Sequence, residues 1–193
     1  MSTKVLLCGV GGQGTILAAH VLAQTALECG QQVKVSEIHG MAQRGGAVTT
    51  DVAFGDRVES MVCDAGSADV VVAFELIEAM RNLPMLKVGG TMVASDEVIK
   101  PASVLTGKAP LPHDARGWLI ERGALLVPAH ATAVEAGNAK ASNMVMLGAL
   151  SALLAFDAQA WERTVSAFVP PKTIEANLAA FRAGRAFVSE KVM

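Results

Sequence analysis

The residues best suited to chemistry lie in two glycine-rich turns. Gly9-Val10-Gly11-Gly12-Gln13-Gly14 follows directly on Val5-Leu6-Leu7-Cys8 and fits the spacing G-x-G-x-x-G. Glycine tolerates positive φ and lets backbone amides come close to a ligand. Those amides, with the positive end of a following helix, favour an anionic group such as pyrophosphate. Glu37 lies 23 positions beyond Gly14 (37 − 14), near the place where an acid would hold a ribose hydroxyl. This turn alone is read in two ways: as an NAD or flavin site, or as glycines that only let helix pack on strand. The second turn is Ser36-Glu37-Ile38-His39-Gly40-Met41-Ala42-Gln43-Arg44-Gly45-Gly46, after Gln32-Val33-Lys34-Val35. Arg44 can take a phosphate or carboxylate through two parallel hydrogen bonds, or pair with an acid across a protein interface. Gly45-Gly46 would let another backbone, of ligand or protein, lie close.

The elements that must position these turns read as an α/β alternation. Val5-Leu6-Leu7-Cys8 is a continuous apolar run, the kind buried on both faces of a parallel sheet. Gly14 to Cys29 reads as a helix with Gly30 as its cap, and Val33-Lys34-Val35 as a second strand, so the chain opens as a βαβ unit. Ala47 to Phe54 alternates as a strand should, and Gly55-Asp56 is expected to turn it into Arg57-Val58-Glu59-Ser60 as a hairpin. Further strands are expected at Ala68 to Phe74, Thr91 to Ala94 and Ala124 to Val127. Helices are expected after Phe74 through about Leu83, stopped by Pro84, and from Trp118 to Arg122, with Val98 to Asp114 as one long irregular connection. From about Thr132 onward the pattern is mostly helical. The fold class that follows is a doubly wound, Rossmann-like, mostly parallel sheet with helices on both faces and a helical C-terminal segment, in one domain over 1–193.

Composition narrows the function. Lys+Arg number 16 against 18 Asp+Glu, without a basic run, which argues against nucleic acid as partner. Hydrophobic residues make up 52% and charged ones only 18%, below the roughly 25% of an ordinary domain. That favours a surface partly covered by a permanent partner. Cys8, Cys29 and Cys63 are scattered and form no CxxC pair, which argues against a structural zinc, an iron–sulfur cluster or a disulfide framework in this chain. No stretch approaches the roughly 20 apolar residues of a membrane span, and the N-terminus lacks a signal-peptide pattern, so a cytoplasmic protein is expected.

Taken together, the Gly9-to-Gly14 turn and Gln43-Arg44-Gly45-Gly46 resemble the gamma subunit, or gamma domain, of 2-oxoacid:ferredoxin oxidoreductases. The stretch from Ser36 to Gly46 is similar to the small beta subunit of indolepyruvate ferredoxin oxidoreductase. Asn143-Met144-Val145-Met146-Leu147-Gly148-Ala149-Leu150 is similar to the asparagine-led helix near the end of these subunits. The resemblance runs over essentially the whole chain. It implies CoA-dependent oxidative decarboxylation of an arylpyruvate, giving an aryl-acetyl-CoA, carbon dioxide and reduced ferredoxin. It also implies thiamine diphosphate, Mg and [4Fe-4S] clusters in the complex. This sequence has no Gly-Asp-Gly run with paired asparagines for the thiamine, and no four-thiolate set for a cluster. The chemistry is therefore expected in a larger partner subunit that works with ferredoxin, while this chain holds no cofactor and is inactive alone. The residues assigned to coenzyme A, or to the partner, are Gly9, Gly11, Gly12, Gln13, Gly14, Gln43, Arg44, Gly45, Gly46 and Asn143. None is assigned a catalytic role. Alternatives are a gamma subunit for pyruvate, 2-oxoglutarate or a branched-chain acid, a stand-alone NAD or flavin oxidoreductase, and a pure scaffold. In isolation the chain is expected to self-associate, for example as a homodimer.

Other chemically interesting residues have plainer readings. His39 is expected to be packed and hydrogen-bonded, and His20 to be a buried or half-buried structural residue. His113, in a loop, and His130, at a strand end, lack partners at metal-ligand spacing. Glu75 and Glu78 are read as first-turn acids of a helix. Asn143 is read as a helix cap, or, with Asn138 and Lys140, as pointing toward the glycine turns. Cys63 has no basic neighbour in the sequence and is given no reactive role.

Overall fold

The computed structural model describes residues 2–39, 46–100 and 102–192, the side chains of His39, Ala102 and Ser103 excepted. Six strands form one sheet: β1 (Ser2–Val10), β2 (Gln32–His39), β3 (Ala47–Gly55), β4 (Ala68–Ala73), β5 (Leu86–Ser95) and β6 (Leu125–Val127), in the order β2-β3-β1-β4-β5-β6. The pairs β1/β4, β4/β5 and β5/β6 are parallel, while β3 runs antiparallel to both β1 and β2.

The expected α/β class holds, with two corrections at the β3 edge. β2 is not the neighbour of β1, because β3 lies between them. All nine residues of β3 pair with β1 on one side, from Ser2↔Gly55 to Val10↔Ala47, and eight of them, Val48 to Gly55, pair with β2 on the other. With both edges of β3 taken, no edge is left for a hairpin. Arg57 to Ser60 accordingly is not a strand. Only Val58 of that segment turns inward, its amide donating to Gln32 Oε1 at 3.3 Å.

Alternate residues of β1 feed two layers. Val5 and Leu7 pack with α1 (Thr15–Glu28), α5 (Ala129–Glu135), α6 (Ser142–Ser151), α7 (Ala158–Phe168) and α8 (Ile174–Val192). Leu6 and Cys8 pack with α2 (Leu76–Asn82) and α4 (Ala115–Ile120). Strands buried on both faces explain why the sequence runs apolar without alternation there. The connection expected to be irregular carries one helical turn, α3 (Ala102–Leu105). α4 starts three residues earlier than the sequence suggested, because Asp114 Oδ1 accepts the Gly117 amide at 2.8 Å and caps it.

The C-terminal helices anchor the first turn's layer. Met144 through Ser151 of α6 are all buried, so this helix has no polar face and lies in the core. It crosses α8 at two glycines. A Cβ on Gly148 would stand 1.9 Å from the Phe181 carbonyl oxygen, and one on Gly184 would stand 1.9 Å from that of Val145. Arg185 closes the C-terminal end of α6, donating to Ser151 O at 2.8 Å and Ser151 Oγ at 2.9 Å.

Candidate functional site at the carboxyl edge of the sheet

Open parallel sheets bind ligands beyond the carboxyl ends of their strands. Here that edge carries the first glycine turn, the ends of β4 and β5, and the start of α6.

Gln13 builds the turn. Its Oε1 accepts the Val10 amide at 2.7 Å, and its Nε2 donates to the Phe74 carbonyl at 2.7 Å. The amide side chain therefore pins the turn to the strand end β4, and Phe74 in turn donates its own N–H to Cys8 O at 2.8 Å. Gly9 makes room for this staple, since a Cβ there would lie 2.8 Å from Gln13 Oε1. Gly14 has φ +77°, and a Cβ on it would lie 2.5 Å from Asn143 Nδ2. Gly12, at φ +100°, has open space on that side. The Gly11 amide donates to Gly46 O at 2.9 Å, so the two glycine turns meet directly. Gln43, Arg44 and Gly45 lie outside the described residues.

Asn143 is not a helix cap. α6 begins one residue before it without a side-chain cap, and the Asn143 side chain instead lies over Gly14. Asn138 caps the short turn ahead of α6, its Oδ1 accepting the Lys140 amide at 3.1 Å. A cavity of about 350 Å³ opens between Gly12 and Gln13 of the first turn, Ser95 and Glu97 beyond β5, and Lys140 and Asn143. Phe74, Ile99 and Met146 supply its apolar wall. Ser95 and Glu97 escaped the sequence reading. The available signal was their place as polar residues directly past an apolar strand. A larger cavity of about 690 Å³ lies by Thr3, Val70 and Thr91, at the opposite edge of the sheet. It is far from both glycine turns and from the strand ends that serve ligands.

Behind the cavity sits a buried acidic corner. Glu75, 1% exposed, caps α2 by accepting the Glu78 amide and also accepts the Ile99 amide at 3.4 Å. Leu76 donates its N–H to Glu97 O at 2.8 Å, so the segment that carries Glu97 and Ile99 is tied to the start of α2. Burial pushes the Glu75 carboxyl above the usual range, against the lowering effect of its backbone donors. Glu78 is shifted the same way by burial, with Arg81 3.1 Å away opposing it. Cys8 and Cys63 are both buried, and burial raises both thiols. Cys63, beside Asp51, is pushed up to about 12. Both are poor nucleophiles.

The His20 side chain is half-buried, as the sequence allowed, with Nε2 3.2 Å from Glu37 Oε1. Two other expectations shift. Glu37 itself stands on β2, opposite Thr50 of β3, which is opposite Leu7 of β1. It is thus two strands, about 10 Å, from the strand that leads into the first turn, not on the adjacent strand where a ribose-binding acid belongs. His130 is on α5, not at a strand end.

The three cysteines of the sequence are too few for the four thiolates of a [4Fe-4S] cluster. Among the described residues no three His, Cys, Asp or Glu side chains converge as metal ligands, and the thiols of Cys8 and Cys63 are buried in the core. Nor, among the described residues, is any helix long and apolar enough to cross a membrane. The carboxyl-edge cavity borders the Gly12 backbone, beside which there is open space.

The sequence matches the family model described as pyruvate ferredoxin/flavodoxin oxidoreductase over residues 4–187. It is 37% identical over 188 residues to the indolepyruvate oxidoreductase subunit IorB of Thermococcus kodakarensis, covering 94% of this chain and 93% of that one. The fold is similar to a keto/oxoacid ferredoxin oxidoreductase gamma subunit from Geobacter sulfurreducens, with TM-score 0.72 and 27% identity, over 96% of this chain and 98% of that chain. It also overlays, with TM-score 0.74 and 23% identity, on 31% of the chain of a 2-oxoglutarate:ferredoxin oxidoreductase from Magnetococcus marinus that has 2-oxoglutarate, coenzyme A and succinyl-CoA bound. This overlay spans all of the present chain. The two touching glycine turns thus stand in a chain that belongs, from Lys4 to Phe187, to the pyruvate ferredoxin/flavodoxin oxidoreductase family, as a small gamma-type subunit of a 2-oxoacid:ferredoxin oxidoreductase.

Proposed function

We propose that this chain is the small subunit of an indolepyruvate, or more broadly arylpyruvate, ferredoxin oxidoreductase, and that its carboxyl edge holds part of coenzyme A against a larger partner. The observation that carries the site assignment is the contact between Gly11 N and Gly46 O beside an open cavity. In this reading Gly12 and Gly14 offer backbone to the phosphates, and Arg44 and Lys140 offer charge. Gly9, Gly11, Gln13, Gly46 and Asn143 shape the turn, while Gln43 and Gly45 complete the second loop. Thiamine diphosphate, Mg and iron–sulfur clusters belong to the partner, as does the transfer of electrons to ferredoxin. Coenzyme A supplies the thiol that accepts the acyl group. The role of this chain is to bind and orient that carrier and to exclude water around it.

The substrate assignment draws on the similarity to IorB. Its test is a comparison of indolepyruvate with pyruvate, 2-oxoglutarate and a branched-chain 2-oxoacid in the assembled complex. Indolepyruvate is expected to give the highest kcat/KM. A higher value for any of the others reassigns the chain within the family. A pure scaffold is distinguished by Arg44→Ala, which in that case loosens subunit association and leaves the coenzyme A KM unchanged.

A further inference from the structure

One polar group of the carboxyl-edge cavity is not used by the protein itself. Glu97 lines the cavity, and its Oε1 is shielded from water and without a partner among the described residues. Ser95, 2% exposed, lines the cavity with it. Native folds seldom leave buried polar atoms unmatched, and those they do leave call for an explanation. The tie between Leu76 N and Glu97 O holds this segment in place, so the two groups are presented rather than left adrift. A hydroxyl and a carboxylate on one cavity wall ask for an N–H or O–H donor, and the carboxylate repels an anion. The rim has the opposite character. Lys140 is exposed there, with no ion-pair partner among the described residues, next to the open backbone of Gly12.

We infer that Ser95 and Glu97 set the direction in which the ligand enters. A neutral N–H-bearing group goes to the floor between Ser95 Oγ and Glu97 Oε1, against the apolar wall of Phe74, Ile99 and Met146. The phosphates stay at the rim, by Lys140 and Gly12. This rests on the coenzyme A reading given above. Coenzyme A carries N–H donors at both ends, in the pantetheine amides and in the adenine amino group. The shared chemistry is a neutral donor beside a phosphate ester. Ser95 and Glu97 are specificity residues and touch no reacting atom.

The test uses the full chain assembled with its partner subunit, and the KM for coenzyme A as readout. Lys140→Ala and Glu97→Ala are each expected to raise that KM about tenfold, the usual scale for one charge-assisted hydrogen bond. Ser95→Ala should raise it less, and the rise should be confined to KM in each case. Glu97→Gln keeps a carbonyl acceptor and should recover most of the affinity. Pantetheine and adenosine 3′,5′-bisphosphate, used as competitors, identify the end at the floor, since Glu97→Ala weakens only that fragment. If Lys140→Ala raises the KM but Ser95→Ala and Glu97→Ala do not, the orientation is wrong and the coenzyme A reading stands. If none of the three changes it, the coenzyme A reading fails and the orientation with it. A rise in KM that tracks a lowered melting temperature, without recovery in Glu97→Gln, also overturns the inference.

Discussion

At the residue scale, the first turn is held by a side chain rather than by its glycines alone. Gln13 satisfies two backbone groups at once, and Gly9 and Gly14 are small because Gln13 and Asn143 occupy the space beside them. Gln13→Ala should therefore destabilise the chain by about 1–3 kcal/mol, the cost of leaving its partners unpaired. Urea unfolding measures this, and a change under 0.5 kcal/mol, the range of ordinary surface substitutions, would speak against the staple. Glu75 gives a prediction in pH. Its folded-state pKa is raised above 4.5, so the native state holds the proton more tightly than the unfolded chain. The resulting stability is fully present below about pH 4.5 and is lost as pH rises through the folded value. Glu75→Gln stays neutral, so the fall in stability from pH 4.5 to 7 should be shallower in the variant. Identical slopes would show that Glu75 is not the group concerned. The glycines of the first turn were legible in the sequence because their spacing is distinctive, and Asn143 only through the family resemblance. Ser95 and Glu97 were not, because a lone Ser and Glu after a strand look like any solvated loop until the cavity is seen.

At the element scale, the α6–α8 crossing governs where Asn143 stands. Gly148→Ala forces a methyl group into the Phe181 carbonyl, against backbone that cannot move aside. The expected loss is about 3 kcal/mol or more, at the upper end for overpacking. Gly137→Ala is the contrasting case. Its φ of +90° is strained for alanine, but nothing lies within 4 Å, so about 1–2 kcal/mol is expected. Thermal unfolding of both variants checks the order, and equal losses would contradict the close packing. The alternation of strands and helices could be read directly, since β-branched runs and cap glycines mark their ends. The place of β3 could not. Nothing local distinguishes a strand that turns back on itself from one inserted between its predecessors, and only the pairing partners decide it. The all-buried α6 also lacks the polar stripe that makes a helix easy to orient.

At the scale of the whole molecule, the apolar composition is only partly explained by the core. Ile38 past the middle of β2, and Val98 and Ile99 after β5, remain exposed toward the end of the sheet that bears the glycine turns. An edge that joins open backbone, an unused Glu97 carboxylate oxygen and exposed apolar side chains suits a site completed by a second protein. The isolated chain should accordingly self-associate as concentration rises, and sedimentation velocity would register strict monomers as a contradiction. The family resemblance was legible because two separated turns recur in order, and the structure adds that they touch. The most direct measurement of the central claim is ferredoxin reduction by the chain and its larger partner, purified together without oxygen. The expected result is a brown complex whose activity requires both subunits, indolepyruvate and coenzyme A, and whose coenzyme A KM rises in Arg44→Ala without loss of the complex. A chain that purifies alone with bound NAD or flavin, or a complex whose coenzyme A KM is indifferent to Arg44, Lys140 and Glu97 alike, would contradict it.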